Sequence, residues 1–363
     1  MKPAIPEPLR SILMLARWAP TGDNVQPHQF EIVAPDHVVV HAHDTRDDTV
    51  YDLDGRPSQL AVGALLETMA LAAAGFGLRA DAVRRPMRSE NDQYLEIDVR
   101  FVPDAAVSAD PRLIQAIEER TVQRRRMQTR PLTAQEKAEL AAAVGPGYQL
   151  TWHESLGQRW RMARLMYRNA RLRLTMPEAY EVHRRIIVWN AHEAKRYVPD
   201  QALGVDAMTL KLMKWAMVSW KRLARMNALM GTSAPRLQMD LLPGLACAAH
   251  VAINAQRKPE TVDDYIAAGR ATQRFWLTLT RLGLFLQPEM TPLIFSRYVN
   301  DAALSETFTA VPALRDMARA LERESAALLQ TDRLHPVFLA RVGAGERPSA
   351  RSKRLDLEDL LRN

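Results

Sequence analysis

A chain of 363 residues, 47% hydrophobic and 25% charged, has the balance of a globular protein and the length for two packed units or one doubled architecture. That composition excludes disordered, collagen-like and disulfide-stapled classes, and the single cysteine, Cys247, cannot close an internal bridge, which fits a reducing compartment. The net charge of +7 fits either a solvated arginine-rich surface or an anionic partner, nucleic acid or a phosphate-bearing ligand, and charge alone does not separate them. Residues 1–10 lack the apolar core of a secretory signal, and no stretch reaches the roughly 18 apolar residues of a membrane span. A cytoplasmic chain is expected.

In chain order, Pro8 to Trp18 reads as a helix with Leu9, Ile12, Leu13 and Ala16 on one face, stopped at Pro20. The loop Thr21-Gly22-Asp23-Asn24 follows, and then two strands, Phe30 to Val33 and Val38 to His43. A helix rich in alanine and leucine runs from about Gln59 to Ala74 and ends at Gly75 and Gly77, and Tyr94 to Val102 alternates as a strand. After Pro103 a short helix around Leu113 and Ile117 leads into Arg120, Arg124, Arg125, Arg126 and Arg130; Leu132 to Ala143 is a further helix, broken at Gly145-Pro146-Gly147. Trp160 to Gly231 is almost wholly helical in pattern. Leu245 to Asn254 is either a strand or a short buried helix, Asp263 to Leu282 is a helix, and the tail from Gly343 to Ser352 is extended. One weak repeat stands out: a long apolar helix carries a glycine and is closed by another fourteen residues later, as Gly63 and Gly77, and again as Gly269 and Gly283.

Several chemistries find no support. His37, His41 and His43 alternate on a strand but lack the Cys or Glu partners of a metal site, so surface histidines are expected. No glycine-rich dinucleotide or phosphate loop is present, no nucleophile elbow, and no base beside Cys247. Leu210, Met213, Met217, Trp220 and Ala224 recur at helical spacing beside Lys211, Lys214, Lys221, Arg222 and Arg225, the pattern of a basic amphipathic helix. Because Leu212, Trp215 and Met226 interrupt its polar face, we expect it buried between two units, over the seam, rather than on a membrane.

Two features carry more. The loop 19–27 sets small residues and then the amides Asn24 and Gln26 between a helix end and a strand, which suits a flat ligand with a carbonyl and imide edge. The cluster Arg120 to Arg130 offers fork-shaped cations suited to a phosphate. Taken singly, one is an ordinary turn and the other a solvated charge run.

Together they resemble the nitroreductase family of FMN-dependent oxidoreductases. Ala16-Arg17-Trp18-Ala19-Pro20-Thr21-Gly22-Asp23-Asn24-Val25-Gln26-Pro27 is similar to that family's flavin-edge loop, and Arg120-Thr121-Val122-Gln123-Arg124-Arg125 to its phosphate motif, with Val122 where a hydroxyl residue is usual. Ala340 to Gly343 and Pro348 to Leu355 resemble its closing strand and basic tail, and Leu282 to Pro288 the segment passing under the flavin. The likeness covers residues 9–102, 113–145 and 262–360. It implies an α+β fold of two sheet-plus-helices halves, an intrachain pseudo-dimer: residues 1–108 bearing the loop, and 109–363 bearing the arginines, the basic tail and a helical lid insertion at 155–243. It also implies one FMN, held by Pro20, Thr21, Gly22, Asn24, Gln26, Arg120, Gln123, Arg124, Gln287, Pro288, Arg351 and Lys353, with NAD(P)H as electron donor, a small-molecule nitro, quinone or similar acceptor, no catalytic side chain and no metal. The alternative it leaves open is a catalytically silent FMN-holding or partner protein, working with an adenylate-forming, ubiquitin-activating-like enzyme. A monomer is expected, and neither nucleic acid nor a membrane is expected as partner.

Overall fold

The fold is organised around two glycines that the sequence repeat singled out. The computed structural model describes residues 5–87, 89 and 93–362. In it the long helices Arg56–Ala74 and Val262–Arg281 cross at Gly63 and Gly269, so closely that a Cβ on Gly63 would lie 2.0 Å from the Ile266 carbonyl oxygen and one on Gly269 2.1 Å from that of Leu60. The contact is reciprocal: position 60 and position 63 of one helix meet position 269 and position 266 of the other, which is the signature of a two-fold axis through the crossing. Polar bonds lock the seam. Gln273 donates to the Thr68 hydroxyl at 2.9 Å, and Arg270 and Arg274 both reach Glu67.

Each central helix then stops at a glycine in the left-handed region, Gly77 (φ 68°) or Gly283 (φ 70°), and the next residue opens a strand. Each half continues as a four-stranded antiparallel sheet with the same spatial order. The first runs His28–Ala34, His37–His43, Tyr94–Pro103, Leu78–Arg84; the second runs Tyr148–His153, Ala249–Ala255, His335–Ala344, Leu284–Pro288. Strand alternation turns Leu95, Ile97, Val99 and Phe101 inward to pack with Leu65, Met69 and Ile12, and the second sheet packs Val251, Ile253, Ala340 and Val342 with Phe275 and Leu279 in the same way. The α+β pseudo-dimer expected from the sequence is therefore what the backbone builds. Arg56–Ala74 is long and apolar enough to cross a membrane, but it is the packed centre of this core.

The halves differ in what interrupts them. The first pair of strands in the N-terminal sheet is joined across Pro35-Asp36, whereas residues 154–248 separate the equivalent strands of the C-terminal sheet. A second excursion that the sequence reading did not anticipate, residues 289–334, separates Leu284–Pro288 from His335–Ala344. Helices of the two excursions form one cap whose core holds Leu165, Leu172, Met176, Phe295, Tyr298, Phe308 and Leu321, joined by Val50 of the other half. The cap is tied there by the Leu53 amide donating to the Tyr298 hydroxyl at 2.7 Å and by Arg297 on Asp54.

The expectation that 206–230 lies buried over the seam is not met. The segment is two helices, Ala207–Ala216 and Trp220–Met230, broken at Ser219, whose hydroxyl caps the second. Leu210 and Met217 do turn inward, beside Val198 and Val205 or under Tyr180, whose hydroxyl donates to the Met217 carbonyl. Trp215, Met208, Leu229 and Met230 face solvent. The periodicity was real, but the break at 217–219 divides it between two helices.

Candidate functional site

The segment after the first helix makes a tight bend. Asp23, Asn24 and Gln26 all take positive φ, at 49°, 57° and 55°, a conformation that needs outside support in residues with a Cβ. Support comes from a strap, residues 187–205, and from the C-terminal tail. The Asn24 side-chain amide donates to the carbonyls of Lys195, Tyr197 and Lys353 at 3.2–3.3 Å, and the Tyr197 amide donates to the Asn24 carbonyl. Gln26 donates to Lys195 O at 2.9 Å, accepts from the Leu355 amide, and its own backbone amide is held by the Thr21 hydroxyl. Strap and tail are themselves joined as a parallel pair, Glu193–Ala194 with Arg351–Ser352. The strap, rather than 206–230, is the part of the excursion that lies on the loop. Pro20 and Thr21 are half-buried, Gly22 is exposed, and a Cβ there would meet nothing within 4 Å.

Behind the loop four arginines converge on Trp18. Arg17, Arg351 and Arg354 stand 5.1–5.9 Å from its indole centroid. Arg120 donates to the Trp18 carbonyl at 3.0 Å and lies 4.5 Å from the Trp276 ring, and Arg354 shares that carbonyl at 3.4 Å. The remaining bonds of the four go to backbone carbonyls: Arg17 to Leu355, Arg351 to Glu118 and Arg120, Arg354 to Ala19 and Lys353. Among the described residues no carboxylate pairs with any of them. Burial, then the neighbouring Arg351 and Arg17, push Arg354 down to about 9, and burial with Arg354 and Arg351 holds Arg120 well below its usual range. Buried Nε atoms of Arg17, Arg120 and Arg351, and the Trp18 indole N–H, lack partners. Concentrating uncompensated guanidinium charge costs free energy that a dianion would return.

The two regions touch. The Lys353 carbonyl accepts both from Asn24 and from Arg354, at 3.2 and 2.7 Å, and the Asn24 side-chain carbonyl oxygen is buried without a partner. The structure thus brings Thr21, Asn24, Gln26, Arg120 and Arg351 into one neighbourhood and adds Arg17 and Arg354, which the sequence reading did not assign. Both sit inside the motifs quoted above, so adjacency to Trp18 and to Arg351 was the available signal.

The other candidate side chains turn elsewhere. Gln123 is a clip: its amide donates to Leu286 O, its side chain donates to Glu346 O at 2.7 Å and accepts from the Arg125 amide. Arg124 turns under the strap onto Ala202 O at 3.3 Å, against Gly204, where a Cβ would stand 3.0 Å from the Arg124 Cβ. Lys353 is paired with Glu193 at 3.1 Å. Gln287 donates to the Pro288 carbonyl, and its own side-chain oxygen is buried and unpartnered. His37 is taken up by Asp98, and His41 by Glu31 and Glu96.

Arg124 enters a second polar cluster that the sequence did not announce. Burial raises the Asp23 carboxyl, against the opposing pull of Arg124, Arg173 and Arg185. Arg173 pairs with Asp240 at 3.2 Å, and Tyr51 stacks on His183 with its hydroxyl 3.0 Å from Nε2. Burial, aided by Arg173, lowers His183 to about 3; burial likewise lowers His28 and His153 to about 4. These imidazoles stay neutral in the fold but take up protons near 6.5 once unfolded. At these three sites the unfolded chain therefore binds more protons below that pH, and the stability they contribute should fall as pH drops from 6.5 towards 4, against the opposite pull of Asp52, Asp23 and Asp240, which burial raises in the fold. Denaturant midpoints across that range should fall more steeply for the wild type than for a His153→Gln, His183→Gln variant; equal slopes would contradict it.

Comparisons with known proteins are sparse. No protein-family model and no curated protein matches the chain. Among solved structures, an oxidised iodotyrosine deiodinase bound to FMN and 3-iodo-L-tyrosine aligns at TM-score 0.36 and 12% identity, over 67% of this chain and 95% of that one. The FMN-dependent nitroreductase NfnB from Mycobacterium smegmatis, in complex with NADPH, aligns at 0.36 and 12%, over 70% and 98%. A nitroreductase-like family protein from Bacillus cereus aligns at 0.33 and 11%, over 69% and 95%. Likeness at this distance carries neither activity nor ligand to the present chain.

Proposed function

We propose that the chain binds one FMN and works as an FMN-dependent oxidoreductase of nitroreductase type, with NAD(P)H as donor and a nitro, quinone or similar small molecule as acceptor. The observation that carries this reading is the Trp18 cluster: four guanidinium groups with no carboxylate partner among the described residues, one residue away from two buried side-chain amides. The donor set fits the group. Arg120, Arg351 and Arg354, with Arg17, would hold the phosphate; Asn24 and Gln26 would meet the polar edge of the ring, where the Asn24 oxygen lacks a donor. Bound FMN would supply acceptance of hydride and its delivery to the acceptor. The chain's own contribution is positioning: the guanidinium groups and the two loop amides would fix where each end of the flavin lies.

One flavin per chain is expected, because the amide loop has no amide-bearing counterpart at Gly145-Pro146-Gly147 of the other half. Incubation with FMN followed by desalting and an absorption spectrum tests this: no retained flavin overturns the reading, and two per chain overturn the single site. Arg354→Gln should weaken FMN binding roughly 10- to 100-fold, the worth of a charge-assisted bond. The exposed Arg126→Gln should change it by less than about twofold. Equal affinities would assign the cluster a purely structural role.

The strap favours one competing reading, a flavin holder without turnover, since it already engages both loop amides. Steady-state NADPH oxidation by the FMN-loaded chain, with a nitroaromatic or quinone, separates the two.

A further inference from the structure

The Trp220–Met230 helix contains no buried residue, although it carries Trp220, Leu223, Met226, Leu229 and Met230. Together with Ala207–Ala216 and the turn between them it exposes Met208 (74%), Trp215 (54%), Val218 (65%), Leu229 (87%) and Met230 (68%). Side chains this open protrude; they do not line a groove. Each outward row couples a cation to an apolar group one turn on: Lys211 then Trp215, and Lys221, Arg225 then Leu229. Arg222 stacks on Trp215 at 4.8 Å, and Lys214 reaches only the Asn190 amide oxygen. The one acid in 206–230, Asp206, is spent capping the first helix. Among the described residues no carboxylate pairs with Lys211, Lys214, Lys221, Arg222 or Arg225.

We propose that the 206–230 helix pair is a peripheral membrane contact, seating Trp215, Leu229 and Met230 at the headgroup boundary of an anionic phospholipid surface, with Lys211, Lys221 and Arg225 on the headgroups. Charge complementarity selects the occupant. A second copy would bring the same five cations and repel, and a folded partner would need a groove to take five protruding groups, whereas a fluid bilayer conforms to them. Anionic lipid attracts each such cation, and Trp suits the interface. From sequence, Leu212, Trp215 and Met226 interrupt the polar face and argue against a membrane; in the fold Trp215 is on the outside. The inference is independent of the flavin reading.

Co-sedimentation of the full chain with vesicles tests it, comparing phosphatidylcholine alone with phosphatidylcholine containing phosphatidylglycerol. Binding is expected to the mixed vesicles only. Lys221→Glu with Arg225→Glu should weaken it roughly tenfold or more. Leu229→Ser with Met230→Ser should weaken it at unchanged charge. All four positions are at the surface, so both variants should melt like the wild type, which thermal denaturation verifies. Failure to sediment, or sedimentation unchanged by either variant, overturns the proposal. So does loss with the charge variant alone, which would indicate adsorption to headgroup charge with no apolar side chain seated.

Discussion

Glu289→Ala should lower the free energy of unfolding by about 3–5 kcal/mol, among the largest effects of any single side-chain truncation in the chain. Its carboxylate is fully buried and sits between two buried cations, 2.6 Å from His250 Nδ1 and 3.2 Å from an Arg341 Nη. Burial alone would push His250 down, yet Glu289 lifts it to about 10, while burial would raise Glu289 and the two cations hold it below its usual range. Once the carboxylate is gone, His250 can shed its proton, but Arg341 cannot. Arg341 is also what carries Arg124: its guanidinium donates to the Arg124 carbonyl at 2.9 Å. Urea denaturation measures the loss. Glu289→Leu combined with Arg341→Met should recover part of it by removing the stranded charge with its partner. A Glu289→Ala loss under about 1 kcal/mol would mean that water reaches Arg341.

Gly269→Ala is expected to cost about 3 kcal/mol or more, and Gly63→Ala as much, because one methyl group must displace backbone, not a side chain. The atoms in the way are carbonyl oxygens of the opposite central helix, at 2.1 and 2.0 Å. The helices can only separate, which opens Thr68–Gln273 and the arginines on Glu67. Gly157→Ala is the control: it lies in a helix with nothing within 4 Å of the added group and should be neutral or slightly stabilising. Thermal melts of the three variants decide it. Should Gly269→Ala match Gly157→Ala, the two halves are not closed by this crossing.

Much of the architecture was legible because it rests on local chemistry. The glycines at 63, 77, 269 and 283 marked the crossing and both helix ends, and the alternation of Tyr94 to Val102 marked a strand that is present. Leu78–Arg84 and Tyr148–His153 gave no such signal, since both are edge strands whose side chains are mostly half-exposed and mixed in polarity. The strap was invisible for another reason. Its short parallel pairs, Ile187–Val188 with Val198–Pro199 and Glu193–Ala194 with Arg351–Ser352, draw on tertiary partners and not on any periodicity. At the candidate site the residue types were readable but their destinations were not. Arg120 and Arg124 lie four positions apart in an extended segment, one against Trp18 and the other under the strap. Arg354 joins the first cluster from the far end of the chain.

The reciprocal glycine crossing also bears on what the two halves are free to become. Were they separate chains, their union would follow mass action and weaken on dilution; here residues 75–261 tether one central helix to the other, so dilution cannot part them. Melting should accordingly be independent of protein concentration. Nor must the two faces of the axis stay alike. An identical pair would have to carry every loop, cap and cation cluster twice, whereas this chain confines its cap to the C-terminal sheet and its amide loop to the N-terminal one. Covalent linkage thus releases the molecule from symmetry, and leaves the vacated mirror position around Gly145 open to change without harm to the retained one.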